Sequence, residues 1–395
     1  MIEVRQVRKR ELDAMLECMT AAFGVAKEEW ADGFYNGPYN DLKYKRVVAA
    51  DGKVVSCLVI IPSTIYLGGT TVRMGGIGGV ATLPDERKHG YAGMLMANSV
   101  HALRDLGFAT SALYPFSFKY YRKFGWEFAG HSLKYLAKPG LLPSASEASL
   151  VRPFTEDDLP LVMRLYDEHY GSECGPFVRD ERHWSRHILP RAAEKLVYDR
   201  GGVQGYLLAR RYEDNSEKRF GIYEAIASTG EARRGLVGFL AKMDVDKVTW
   251  MACERDLESM ALITPRAHWE EGYDPRAEIK VTPSFMFRII DLKASMEALI
   301  GRTDNSDDEL SIITSDEIGV WNEPVTIEAG GVSAGIGRNW LKADVRILSQ
   351  IYIGYLPPAD AFSQGLIEVS GPTALALAGN LFPPSEPFIP HLDEF

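Results

Sequence analysis

The chain opens on an alternation, "IEVRQV", that predicts a strand. A helical spacing follows, with Leu12, Met15, Leu16, Met19 and Phe23 on one face and Gly24 placed to end the helix. The same pattern returns in "LVRPFTEDDLPLVMRLYDEHYG". There Val151 and Arg152 stand for Val4 and Arg5, Leu159 for Leu12, Val162 and Met163 for Met15 and Leu16, and Gly171 for Gly24. Between the copies, "AKPGLLPSASEAS" from Ala137 to Ser149 has the Pro, Gly and Ser content of a linker. A second pair keeps nearly the same offset: "RKHGYAGML" (Arg87 to Leu95) is echoed by "ARRGLVGFL" (Ala232 to Leu240), with Gly90 and Gly93 matched by Gly235 and Gly238. Two related α/β domains in tandem are the simplest source of both echoes.

The apolar run from Val54 to Gly69 is rich in β-branched residues and broken by Pro62, so it predicts paired strands and not a membrane span. From about Ser284 the texture changes to "FMFRIIDLKASMEAL", an acidic loop "DNSDDE", and the alternating "VTIEAG" and "ADVRILSQIYIGYL". No glycine loop recurs there, which points to a separate α+β domain. The expected division is residues 1–140, 141–283 and 284–395.

The stretch "GGIGGVATLPDERKHGYAGMLMANSVHALRDLGF" predicts a strand from Ile77 to Thr82, a turn at Pro84 and a helix from about Gly90 to Leu106. Free amides at such a helix start, reinforced by the helix dipole, make an anion site. Gly90 lets the backbone approach a phosphate, Ala92 and Gly93 keep the next turn slim, and Arg87 and Lys88 add positive charge. By spacing alone, a phosphate cradle and glycines serving close packing are equally good readings. The pattern is neither GxxxxGK[ST] nor GxGxxG.

"VATLPDERKHGYAG" resembles the R/Q-x-x-G-x-G/A motif of the GNAT acetyltransferases, with Arg87, Gly90 and Ala92 at the marked positions. The resemblance implies that loop amides from Lys88 through His89, Gly90, Tyr91 and Ala92 to Gly93, with Arg87, grip the pyrophosphate of acetyl-CoA. It also implies that the backbone of Val80, Ala81 and Thr82 aligns the pantetheine arm. Downstream, "TSALYPFSFKYYRKFGWEFAG" predicts a strand ending near Tyr114 and a helical turn through Tyr121. From the residues alone, Tyr120 and Tyr121 cannot be told apart, and most of the surrounding aromatics must be core. The segment Tyr121 to Gly125, Y-x-x-F-G, resembles the place where GNAT enzymes of the Eis type carry their general acid. That assigns Tyr121 to protonate the departing CoA thiolate and sets Phe116 and Ser117 against the CoA arm.

The resemblance to the Eis type covers the whole chain. It implies an active GNAT domain, a second GNAT-like domain without a CoA site, and a C-terminal α+β domain resembling sterol carrier proteins. In the second copy Ala232 replaces the motif arginine, although Arg233 and Arg234 stand beside it. The chain ends abruptly on "HLDEF". In the Eis type the C-terminal carboxylate is the general base, which assigns that role to Phe395, while Glu394 matches an acidic position near the amine site. A free α-carboxyl titrates near pH 3.5, so burial or a relaying water is expected to fit it for the role. The implied reaction is acetyl transfer from acetyl-CoA to primary amines such as aminoglycosides or lysine side chains, without a metal, in a homo-oligomer, typically a hexamer. A lipid or apolar-ligand carrier using the third domain, and a CoA-binding pseudoenzyme, are the rival classes.

Composition narrows the rest. A net charge of -10 argues against a nucleic-acid partner and permits a cationic substrate. "MIEVRQVRKREL" has no apolar signal segment, so the expected location is cytoplasmic. Cys18, Cys57, Cys174 and Cys253 show no metal spacing and read as buried free thiols. His183 and His187 stand four apart but lack a third ligand, which favours a surface or packing role; "DNSDDE" lacks calcium-loop spacing and reads as a solvated loop. Glu28, Glu29 and Trp30, expected in a loop after the first helix, could meet a cationic amine through charge and an aromatic face, or simply anchor that loop.

Overall fold

Alternating and helical patterns resolve into three sheets in a computed structural model, which describes residues 1–36, 40–252, 277–300, 309–328 and 330–395. In chain order the strands are β1 Ile2–Gln6, β2 Lys45–Ala50, β3 Lys53–Leu67, β4 Thr70–Thr82, β5 Thr110–Leu113, β6 Glu127–Phe128, β7 His131–Ala137, β8 Val151–Pro153, β9 Cys174–Phe177 and β10 Glu194–Asp199. They continue as β11 Val203–Asp214, β12 Glu217–Ala227, β13 Lys247–Ala252, β14 Ala277–Pro283, β15 Met286–Ile289, β16 Leu310–Ser315, β17 Val325–Glu328, β18 Gly331–Ala334, β19 Trp340–Asp344 and β20 Ile367–Val369. The first sheet runs β1-β2-β3-β4-β5-β15-β6, with β9 also on β3; the second runs β14-β7-β13-β12-β11-β10-β8; the third runs β18-β17-β16-β19-β20.

The sheets exchange strands at both junctions. His131–Ala137 joins the second sheet although it lies ahead of residue 140, and Met286–Ile289 inserts between β5 and β6 of the first sheet although it lies beyond residue 283. Buried Phe287 and Ile289 therefore carry the core of the first sheet directly into that of the third. The three units share buried surface and are not beads on linkers.

Local chemistry accounts for the elements around the site. Helix α1, Leu12–Phe23, buries Met15, Leu16, Cys18 and Met19 and ends at Gly24, whose φ of +68° is the left-handed cap that favours glycine. Its counterpart Leu159–Tyr170 ends differently: Gly171 is right-handed, with a φ of -59°, and a Cβ there would lie 2.7 Å from the Asp167 carbonyl oxygen. Pro62 does not break its run. It lies within the single strand β3, opposite Gly75 of β4, so the expected pair of strands is one long strand paired with its successor. "ADVRILSQIYIGYL" is also corrected. Only its start continues strand β19; the Asp344 side chain accepts from the Arg346 amide at 2.9 Å and starts a helix, Val345–Tyr352, that buries Val345, Leu348, Ile351 and Tyr352. Glu28, Glu29 and Trp30 lie on a helix, α2, Lys27–Asn36, and not in a loop. Cys18, Cys57 and Cys174 are buried free thiols; Cys253 and residues 304–308 of the acidic loop lie outside the described residues. Among the described residues no helix is long and apolar enough to cross a membrane.

Candidate active site

Strands β4 and β5 run parallel from Met74–Ile77 against Thr110–Leu113, and there β5 ends while β4 continues to Thr82. Among the described residues the β5-facing edge of β4 is thus unpaired beyond Ile77, the stretch holding Val80, Ala81 and Thr82. Gly79, at a φ of +59°, accompanies a register shift against β3 and turns this end of the strand. A short helical turn, Pro84–Glu86, leads to Arg87 and Lys88, both exposed; Lys88 and Gly90 take positive φ angles of 69° and 82°. Helix α3, Tyr91–Asp105, begins immediately, and its first ladder bond runs from the Met94 amide to the Gly90 carbonyl at 3.1 Å. The amides of Tyr91, Ala92 and Gly93 therefore precede the ladder and point from a 15-residue helix start. His89 is held by its own ring, Nδ1 lying 3.1 Å from the Glu86 carbonyl oxygen. A Cβ at Gly90 would meet open space, so its backbone conformation, and not crowding, is what calls for glycine.

Past β5 the chain enters helix α4, Phe118–Arg122, capped by Ser117, whose hydroxyl accepts from the Tyr120 amide at 3.3 Å. Phe116 stands 74% exposed, unusual for a large aromatic, with its ring centroid 5.3 Å from that of Tyr120 and 5.2 Å from that of Tyr121. Tyr121 is 3% exposed, and burial, with a smaller contribution from Tyr120, raises its pKa well above the ordinary phenol value. The turn after α4 is pinned by Gly125, at a φ of +88°, where a Cβ would run into the buried Arg288 guanidinium; Arg288 in turn meets Asp316 at 3.0 Å. Gly125→Ala should lower unfolding stability by about 2 kcal/mol or more, from steric and backbone strain together. Urea unfolding measures it, and a change below about 0.5 kcal/mol would contradict the packing described.

Phe395 reaches the same end of β4. Phe395 lies on β4: a Cβ at Gly76 would come 2.5 Å from its ring, and one at Gly78 would come 3.9 Å from the carbon of its terminal carboxyl. The ring is bounded by Tyr114 and Phe177, with centroids 5.5 and 6.1 Å away. Gly78 lies just past the last residue of β4 that β5 pairs, so the terminal carboxyl sits where the two strands part. Glu394 points the other way, and its carboxylate meets His391 Nδ1 at 2.8 Å. It lines a small cleft open to solvent, with Tyr170, Tyr223, Trp250 and His391 among its walls. The Trp30 ring lies 5.2 Å from that of Phe23 and packs against the cluster holding Met19 and Ala81.

The second copy's glycine helix starts differently. Its helix, Gly230–Leu240, starts five residues ahead of Gly235, so the Ala232 amide is capped by Thr229 Oγ1 at 3.1 Å and the Arg233 amide bonds to the Thr229 carbonyl at 3.0 Å. Gly235 and Gly238 serve contact instead, with Cβ positions that would fall 2.5 Å from the Tyr198 ring and 2.8 Å from Ala145. Arg234 is paired with Glu147 at 2.8 Å.

Sequence reasoning missed the seat and the tether of the terminus. Gly78 falls inside the expected strand and Gly76 just ahead of it, and glycines inside a strand signal close backbone approach. Asp393 carried no signal, because its partner Arg179 lies 214 residues away in sequence. His183, four residues before His187, places Nε2 3.1 Å from Asp393 Oδ1.

Comparison with known proteins agrees with this architecture. The chain matches the GNAT acetyltransferase domain over residues 3–129, a second GNAT acetyltransferase domain over 175–289, and the sterol carrier protein domain over 293–390. No curated protein sequence matches it significantly. Among solved structures it is similar to a GCN5-related N-acetyltransferase from Anabaena variabilis, with 21% identity, full coverage of both chains and a TM-score of 0.82. One from Kribbella flavida gives 21%, full coverage and 0.81, and Eis1 from Mycobacterium abscessus gives 17%, full coverage and 0.73. The chain is a GNAT acetyltransferase, built of two GNAT domains and a sterol carrier domain in the fold of the Eis type.

Proposed function

We propose that the protein transfers the acetyl group of acetyl-CoA to a primary amine of a cationic acceptor, an aminoglycoside, a polyamine or a lysine side chain. The observation that carries this reading is the seat of Phe395, a chain terminus brought onto Gly76 and Gly78 at the parting of β4 and β5. The pyrophosphate of acetyl-CoA would rest on the amides of Lys88 to Gly93 with Arg87 beside it. Val80 to Thr82 would align the pantetheine, and Phe116 and Ser117 would cover its far side. Residues 1–140 would thus carry the reaction, 141–283 would lack a CoA site, and 284–395 would deliver the terminus.

In the reaction the neutral amine nitrogen attacks the thioester carbon and the C–S bond breaks. The Phe395 carboxylate, directly or through a water, accepts the proton lost by nitrogen, and the Tyr121 phenol donates one to the CoA sulfur. Burial supports the second role: a phenol whose pKa is raised stays protonated, hence able to donate, through neutral and mildly alkaline pH. The sign gives a prediction. The kcat/KM profile should rise with pH as the acceptor ammonium and the terminal carboxyl lose their protons, with no alkaline fall below about pH 9, since the ordinary tyrosine value is about 10 and this one is higher. A descending limb centred below that would exclude Tyr121 as the acid.

The cleft beside Glu394 offers a carboxylate and the aromatic faces of Tyr223 and Trp250, which suits a second ammonium of a polycationic acceptor. Glu394→Gln should raise KM for such an acceptor by roughly 5- to 10-fold, the loss of one partly exposed charge contact, and leave a monoamine unchanged. Trp30 is assigned to the acceptor side of β4. A cytoplasmic location and assembly into a hexamer belong to the same proposal, the latter read by sedimentation. The deciding assay incubates polyamines, aminoglycosides and lysine peptides with acetyl-CoA and follows free thiol; no release above background for any amine would overturn the reading.

A further inference from the structure

The last ten residues cross the second GNAT domain on a path prepared for them. The Phe388 amide donates to the Cys174 carbonyl at 3.1 Å. Gly175, at a φ of +111°, and Gly130 leave room for the tail backbone at Phe388 and Pro387, where any side chain would collide with it. Phe388 and Leu392 then join the core cluster of the second domain, beside Tyr166, Trp184 and Tyr206. Two residues before the terminus, Asp393 enters a fully buried ionic cluster. Arg179 Nε lies 3.1 Å from both its carboxylate oxygens and Nη2 2.9 Å from Oδ2, while Nη1 and Nη2 donate to Glu224 at 3.0 and 2.7 Å. His183 Nε2 approaches Asp393 Oδ1 at 3.1 Å, and Tyr206 donates to Glu224 at 2.7 Å. The guanidinium lies 4.0 Å over the Tyr166 ring and 4.8 Å over Trp184.

Burial alone would raise the Asp393 carboxyl, but Arg179 and His183 hold it below the usual range. Arg179, despite desolvation, is held charged by the two carboxylates. A guanidinium that forks onto two carboxylates fixes both in direction as well as distance. At the rim, Arg191 Nη1 donates to the carbonyls of Leu392 and Glu394 at 2.8 and 3.2 Å.

We propose that Arg179, with Glu224 and His183, is a latch on the second GNAT domain that grips Asp393 and thereby positions the carboxylate of Phe395 in the site of the first. Having no phosphate cradle in its glycine helix, the second domain serves the reaction by docking the tail. Asp393 and Arg179 are positioning residues. Their effect on turnover rests on the proposed role of Phe395; the latch itself does not.

Asp393→Asn tests this in the full chain. It keeps the side-chain shape and leaves Arg179 neutralised by Glu224, so the fold should persist. The folded protein is treated with carboxypeptidase A, which releases C-terminal aromatic residues, and kcat and KM for acetyl-CoA are measured in parallel. Free phenylalanine should appear about 10-fold faster or more than from the parent, and kcat should fall by a similar factor with KM for acetyl-CoA within about 2-fold. Arg191→Ala, at the surface, should shift both readouts in the same direction by smaller factors. Phenylalanine release at the parental rate from folded Asp393→Asn overturns the latch, and if that variant does not fold, the same result with Arg191→Ala does. Faster release with unchanged kcat would leave the latch standing and remove Phe395 from the chemistry.

Discussion

Tyr121→Phe should lower kcat by roughly 10²- to 10⁴-fold, the usual contribution of a positioned general acid, with KM for acetyl-CoA within about 2-fold. The change removes one hydroxyl and leaves the ring in place against Phe116 and Tyr120, so folding is not expected to suffer. Tyr120 supplies the control. Its ring lies 5.2 Å from that of Tyr121, and its hydroxyl is buried without a hydrogen-bond partner among the described residues. An unpartnered buried hydroxyl contributes little to stability, so Tyr120→Phe should be neutral or mildly stabilising, with turnover changed by less than about 3-fold. If Tyr120→Phe abolished turnover and Tyr121→Phe did not, the two assignments would be exchanged.

The parts of the site that lie close together in sequence were legible. The strand, turn and helix around Arg87 to Gly93 follow from local spacing, because a helix start and a left-handed glycine are local events. Periodicity likewise gave α1 with its Gly24 cap. The echo between Gly90 and Gly235 marks two GNAT domains whose helix starts differ locally. Thr229 starts the second helix early, which turns cradle amides into ladder amides. Helix and strand were confused at Val345–Tyr352, where Asp344 caps a helix inside a run that alternates by chance. What no local pattern could show is the convergence of distant segments. The seat at Gly76 and Gly78, the β15 strand that passes from the third region into the first sheet, and the Arg179–Asp393 pair are set by tertiary contact alone.

That convergence puts the largest demand on the terminus itself. If the Phe395 carboxylate accepts the amine proton, it must be a carboxylate and it must stay over Gly78. Appending one alanine converts it into a neutral amide and carries the new carboxylate about 3.8 Å further along the chain. An amide is no base at neutral pH, so the expected loss is again roughly 10²- to 10⁴-fold in kcat. The loop from Arg87 to Gly93 belongs to the start of α3, away from the tail's path over β9, and should bind acetyl-CoA as before.

The most direct measurement is therefore paired, on the chain with one alanine added after Phe395: acetyl-CoA affinity by calorimetry, and turnover by thiol release with the best amine of the panel. The account predicts a Kd within about 2-fold of the parent and kcat lower by about 100-fold or more. Parental turnover in the extended protein would contradict it.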